Sequence, residues 1–381
     1  MNIRRNIFTL CWVLAPLPAR IFSQVAQDQT VRLNQIQVIG THNSYHAGLG
    51  SSEMKLIQQH DARSAAGLDY SHPPLAEQLS AGVRQIELDE FPDPQGGRYA
   101  HPKIMAQVAA AGLPADPDFD PEHEMAQSGF KVMHVQDVDQ RSRCHLLTHC
   151  LQEVRTWSKA HPQHLPIFIL LECKTPHSID AKGATVSEPM TPALFDALDK
   201  EILSVFTRKE IVTPDEVRGR HSSLREAITT DGWPALSVAR GKVIFLLDQR
   251  NQAAAYAEGH PALRGRVIFP NADPASDGAA FTEMNDGTPA QIAALVKQGY
   301  LVRTRSDWDT LQARSNDTKR RDEAIASGAQ IISTDYPASE PARWTNYSVS
   351  LADGRMAQCN PVERSPDCKS GLLEKPAAQQ P

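Results

Sequence analysis

Eight short apolar runs, rich in β-branched residues, punctuate this chain at 35–39, 83–88, 131–135, 166–171, 242–247, 266–269, 300–303 and 330–333. Between most of them lie longer stretches, such as 146–160, 192–206, 288–298 and 314–327, in which apolar and charged residues alternate at helical spacing. Strand and helix alternating in this way predict an α/β architecture, a (β/α)8 barrel of the TIM type.

A barrel of this kind builds its site from the carboxyl ends of its strands. Here nearly every predicted strand ends in polar residues. In order they are His42 and Asn43, Glu87 and Asp89, His134, Glu172 with Lys174, Asp248, Asn271, Arg303 with Arg305, and Asp335 beside Tyr336. Packing alone would not require charged groups at so many strand ends.

The barrel accounts for most of the 381 residues, with 27–345 as its expected extent. Before it, Arg4 and Arg5 precede an apolar segment and then small residues at Ala19, Ser23 and Ala26, which reads as a signal peptide over 1–26. No later stretch offers the ~20 apolar residues of a membrane span, so an exported protein, secreted or periplasmic, is expected. The stretch 91–130 is a long insertion rich in Pro, Gly and Asp, on the face where loops follow strands. It either covers the site or runs out toward solvent, with one short helix over 104–111. Beyond Trp344 the periodicity is lost, and 346–381 reads as a C-terminal extension.

Export also fits the cysteines. Cys144 and Cys150 flank a short loop and Cys359 and Cys368 lie close together, so two local disulfides are expected, with Cys173 left alone. The run Cys144-His-Leu-Leu-Thr-His-Cys150 also holds two imidazoles, but its spacing matches no common zinc pattern. A net charge of −6 argues against nucleic acid as a partner. It leaves a phosphate ester open, because local cations decide that.

Asn43, Glu87, Asp89 and Glu172 together offer three carboxylates and an amide oxygen, all hard donors. Calcium is the natural guest; magnesium demands stricter octahedral geometry, and zinc would recruit more His or Cys. Glu87 and Asp89 lie two apart on one strand and so face the same side. His42 and His134 end different strands and can approach a phosphate from two directions, one stabilising charge and one donating a proton. His46 falls in a turn and is left outside this set. Lys174, Arg303 and Arg305 supply positive charge for a phosphodiester and its headgroup, although Arg305 has Asp307 nearby as an alternative partner. Tyr336 offers a flat floor for a sugar or cyclitol ring, or else packs against Pro337.

Four ordered segments, Thr41-His-Asn-Ser-Tyr45, Glu87-Leu-Asp89, Met133-His134 and Leu170-Leu-Glu-Cys-Lys174, resemble the catalytic region of calcium-dependent phosphoinositide-specific phospholipases C. The likeness is closer to the small secreted microbial members, which also carry a segment like Asp231-Gly-Trp-Pro-Ala235 followed by one like 240–248. It extends over about 35–336. The resemblance implies a (β/α)8 barrel with Ca2+ held by Asn43, Glu87, Asp89 and Glu172, His42 stabilising the pentacovalent phosphate and His134 protonating the departing diacylglycerol. The inositol 2-hydroxyl would attack phosphorus, losing its proton to Glu87 or Glu172, and the cyclic phosphate would then be open to water. The substrate is accordingly phosphatidylinositol or a related inositol phosphodiester, with peripheral membrane contact and a monomer as the acting unit. One departure is plain: the animal enzymes carry Glu-Asn-His where this chain has Glu172-Cys-Lys174. No exposed aromatic ridge is evident.

Two rival readings remain. A glycerophosphodiester phosphodiesterase also uses a Glu-x-Asp pair and two histidines on a barrel, but opens with His-Arg-Gly rather than His42-Asn43-Ser44. A non-catalytic secreted binding module on a barrel scaffold would not need both histidines and the acidic pair.

Overall fold

The computed structural model describes residues 19–174 and 184–374. The apolar part of the expected leader, 1–18, lies outside the described residues, as does the tail 375–381.

Among the described residues there are ten strands: β1 (Ile36–Thr41), β2 (Gln85–Phe91), β3 (Lys131–Val132), β4 (Ile167–Cys173), β5 (Val243–Leu247), β6 (Ile268–Pro270), β7 (Phe281–Glu283), β8 (Leu301–Arg305), β9 (Ile331–Thr334) and β10 (Ala357–Cys359). Eight of them run parallel in the order β6-β5-β4-β2-β1-β9-β8-β7. A single parallel bridge, Asn271 to Phe281, joins the two ends, so the sheet is a nearly closed (β/α)8 barrel. The strands are short, and β1, β2 and β5 are buried throughout, as expected of a parallel sheet covered by helices. Leu147–Ala160 and Pro192–Val205 are among those helices; each turns an apolar stripe (Leu151 and Val154; Phe195, Leu198 and Ile202) onto the sheet.

Two of the predicted elements need correction. The run 131–135 is not a barrel strand: only Lys131 and Val132 are extended, and they pair antiparallel with Phe91 and Glu90. The connection from β2 returns as an excursion with no crossover helix to bring it back parallel. The eighth barrel strand is instead β7, whose three residues, Phe281–Glu283, are too few to show a period. The helix expected over 314–327 is also broken in two, Leu311–Ser315 and Lys319–Ala326, by Asn316 in the left-handed region at φ 53°.

The C-terminal extension is part of the sheet. β10 pairs antiparallel with the first half of β1, Ile36 to Val38, which leaves β1 to meet β2 only at Gly40 and Gln85. That contact is tight, because a Cβ on Gly40 would lie 2.0 Å from Gln85 Oε1. Disulfides join Cys144 to Cys150 and Cys359 to Cys368, as expected, and Cys173 is buried with a free thiol. The insertion holds the helix Lys103–Ala110, whose Ile104 and Val108 pack with Leu56 of the helix Ser51–His60. No described helix is long and apolar enough to cross a membrane.

Candidate active site and metal centre

Parallel register sets the acidic cluster. Asp89 on β2 lies opposite Glu172 on β4, and Glu87 sits two residues earlier on the same inward face. One oxygen from each of Glu87, Asp89 and Glu172 falls within 4.8 Å of the others. Asn43 sits in the turn after β1, where it adopts φ 45°, a conformation Asn tolerates better than most residues. Ser44 fixes that turn to β2: its backbone N–H donates to the Glu87 carbonyl at 3.0 Å, and its hydroxyl accepts from the Glu87 N–H at 2.8 Å. Asn43 Nδ2 donates to the Tyr70 hydroxyl at 2.9 Å, while its Oδ1 is buried without a hydrogen-bond partner. Asp89 Oδ1 is likewise buried and unpartnered. Buried, unpartnered oxygens on Asn43 and Asp89 are costly unless a cation accepts them, and with Glu87 and Glu172 converging on Asp89 the residues present fit a hard divalent ion.

Lys174 sits within the cluster, its ammonium 2.7 Å from Asp89 Oδ2 and 2.8 Å from Glu172 Oε1. Burial opposes the lysine's charge, but the two carboxylates outweigh it and raise its pKa; in return Lys174 outweighs burial at Glu172 and lowers that carboxyl. Arg303 lies below, fully enclosed, pairing with Glu87 at 2.5 Å and with Glu283 at 2.9 Å. Burial, only partly offset by Arg303, pushes the Glu87 carboxyl up to about 7.

The two histidines are each supported by a carboxylate. His42 Nδ1 is 2.8 Å from Asp335 Oδ1, and its Nε2 is 3.1 Å from Arg305 Nη1. Nε2 accepts from the guanidinium, so Nδ1 carries the proton and donates it to Asp335. Burial first, then Arg305 and Arg303, lower the imidazole's pKa well below its usual value, and His42 is neutral in this arrangement. Arg305 bonds His42 and Asp335 rather than Asp307, whose carboxylate is taken by Thr334 and the Asp335 N–H. His134 Nδ1 is 2.9 Å from Asp139 Oδ2, and the same oxygen is 2.9 Å from His46 Nε2. Asp139 therefore serves both rings, which brings His46 into the site from which sequence reasoning had left it out. The shared histidines overcome burial and lower the Asp139 carboxyl well below the usual range.

A cavity of about 380 Å³ opens above these groups, lined by His42, His134, Arg305, Asp335 and Tyr70, with Arg63 and Ser64 of the helix Ala62–Gly67 on its wall. Tyr336 is absent from the lining. It is buried against the rings of Trp344 and Tyr347, because the residue after Asp335 turns away from the barrel mouth. The aromatic ring facing the cavity is Tyr70, tilted 4.6 Å from the His46 ring; no local pattern in the sequence marks it. At the rim, the guanidinium of Arg305 lies 4.7 Å from the Trp308 ring, and Trp308 and Leu311 are exposed.

The sequence pattern of the family described as "Phosphoinositide phospholipase C, Ca2+-dependent" matches residues 31–361. The chain belongs to that family. It is thus a phosphodiester-cleaving hydrolase of the phosphoinositide phospholipase C type, in a family that is Ca2+-dependent and acts on phosphoinositides. Among solved structures it is similar to a calcium-dependent phosphoinositol-specific phospholipase C from Pseudomonas sp. in its myo-inositol complex, with 19% identity over 88% of this chain and 97% of that one and a TM-score of 0.51. A second crystal form of the apo Pseudomonas enzyme gives 18%, 87%, 96% and 0.52. At this identity the likeness establishes the barrel fold. No curated protein matches the chain.

Proposed function

We propose that this member of the family cleaves phosphatidylinositol, or a closely related inositol phosphodiester, to diacylglycerol and an inositol cyclic phosphate, with Ca2+ held by Asn43, Glu87, Asp89 and Glu172. The observation that carries this reading is the placement of two carboxylate-supported histidines at one cavity, directly beside a buried acidic cluster with unpartnered oxygens. When bound, calcium would lower the pKa of the inositol 2-hydroxyl and stabilise charge on the phosphoryl oxygens.

In the first step the 2-hydroxyl oxygen bonds to phosphorus and its proton passes to a carboxylate. The candidates are Glu87 and Glu172, of which Glu87 lies beside the histidines, its Oε1 3.7 Å from His42 Nε2. Breaking the bond from phosphorus to the glycerol oxygen releases diacylglycerol, whose oxygen takes a proton from His134. With Nδ1 committed to Asp139, Nε2 is the nitrogen that His134 offers. Lys174 and the Arg305 guanidinium neutralise the phosphate. Arg303 acts through Glu87, which it orients. Water then opens the cyclic phosphate, with acid and base roles exchanged.

The His42–Asp335 pair favours a second assignment within the same reaction. A neutral imidazole that donates through Nδ1 and accepts at Nε2 is arranged as a base, so His42 would take the 2-hydroxyl proton and Arg305 would assume the charge-stabilising part.

Trp308 and Leu311 at the rim supply an apolar edge for peripheral contact with a lipid surface. The two disulfides support export to an oxidising compartment.

Leaving-group dependence tests the part given to His134. Replacing His134 with Ala should slow diacylglycerol release by about 10²–10⁴-fold. An inositol phosphodiester with a nitrophenolate leaving group needs no proton, and its cleavage should fall far less. Equal losses on both substrates would remove His134 from the acid role.

A further inference from the structure

Lys174 is not needed to explain the barrel, and neither its burial nor its partners are those of a surface lysine. Its backbone remains in the ladder after β4, with its N–H donating to the Glu90 carbonyl at 3.0 Å, so its position is fixed by the sheet and only the side chain is free to move. Two residues after Glu172, it projects to the same inward face and returns its ammonium to Glu172 and to Asp89, the pair that register sets side by side. These are two of the three carboxylates that converge within 4.8 Å.

Geometry then conflicts with a bound calcium ion. The ammonium lies 2.7 and 2.8 Å from one oxygen each of Asp89 and Glu172, so a calcium ion held at 2.3–2.6 Å by these carboxylates would sit against it with no layer of water between the two cations. Lysine is suited to such exchange: its charge is compact and its four-carbon stem flexible.

We propose that Lys174 is a tethered counter-ion that holds the calcium site in calcium's absence, and that calcium binds by displacing its ammonium from Asp89 and Glu172. This inference rests on the calcium site proposed above. It has two consequences. The metal-free protein is stabilised by a cation of its own, and calcium affinity is set lower than the acidic donors alone would give. Once displaced, the ammonium is released toward the substrate phosphate, so calcium must bind before Lys174 contacts substrate.

The test compares calcium binding to the wild-type protein and to Lys174→Met by calorimetry without substrate, together with thermal melts in chelator and in saturating calcium. Removing one competing charge-assisted pair should tighten calcium binding about tenfold. The variant should also melt lower than wild type in chelator and show a larger rise on adding calcium. Unchanged or weaker calcium binding in the variant would overturn the displacement while leaving the calcium site intact. No calcium binding by either protein would overturn the site and the displacement together. A second measurement needs no variant: amine-directed labelling of wild type, read by mass spectrometry, should find Lys174 protected in chelator and labelled when calcium is added. Protection that persists in saturating calcium would equally contradict displacement.

Discussion

Asp89 and Glu172 are direct neighbours across the β2–β4 ladder, their side chains on the inner face of the barrel and a single lysine ammonium between them. Two buried carboxylates in register repel each other unless a cation is shared between them. The strand pairing that builds this part of the barrel wall is therefore also what creates the affinity for positive charge at its mouth.

Replacing Asp89 with Asn removes one charge from that pair with little change in shape. The calcium concentration for half-maximal activity should rise at least about tenfold, in line with losses seen when metal sites lose supporting groups. A calcium titration of activity measures it.

Asp335 contacts His42 through Nδ1 and so fixes which nitrogen faces the cavity. In Asp335→Asn the imidazole loses the partner that sets its tautomer. The turnover rate should fall about 10²-fold or more while KM changes little, because the substrate's own contacts are untouched. Steady-state kinetics on phosphatidylinositol separates the two.

How much of this was legible in the sequence depends on the range of the interactions concerned. Glu87, Asp89, Glu172 and His134 could be placed because each closes or follows a local apolar run. Asp139, His46 and Tyr70 could not: they meet through a loop and a turn whose geometry follows no period, and only the shared hydrogen bonds at Asp139 reveal the set. Glu283 escaped because β7 is three residues long. Of the two roles open to Tyr336, the ring floor is not realised, because consecutive side chains point to opposite sides and the one after Asp335 packs on Trp344 and Tyr347 instead. The insertion's helix, expected over 104–111, is present at Lys103–Ala110, and its tie to the loop after His134, where Ile104 N–H donates to the Asp137 carbonyl, depends on contacts that spacing does not reveal.

Gly40 meets the side chain of Gln85 where β1 and β2 make their one registered contact. Ala at this position would force the strands apart or displace buried Gln85. Destabilisation of about 1–3 kcal/mol is expected, as for other overpacked cores. Urea melts of the variant check it.

His164 gives stability a pH dependence remote from the site. It is buried, accepts from the Ser158 hydroxyl at 2.7 Å and donates from Nδ1 to the Leu165 carbonyl, and burial holds its pKa down to about 4. The unfolded chain binds a proton near pH 6.5 and the folded one does not, so this contribution is full above about pH 6.5 and is lost as pH falls toward 4. The loss is at most about 3 kcal/mol. His164→Asn should flatten the slope of unfolding free energy between those limits.

Phosphorus NMR of the purified protein with phosphatidylinositol micelles, in calcium and in chelator, tests the central claim most directly. A cyclic inositol phosphate resonance that appears with calcium, is absent with chelator and is lost in Glu87→Ala is the predicted result. Turnover that persists in chelator, or glycerol phosphate released without any cyclic species, would contradict it.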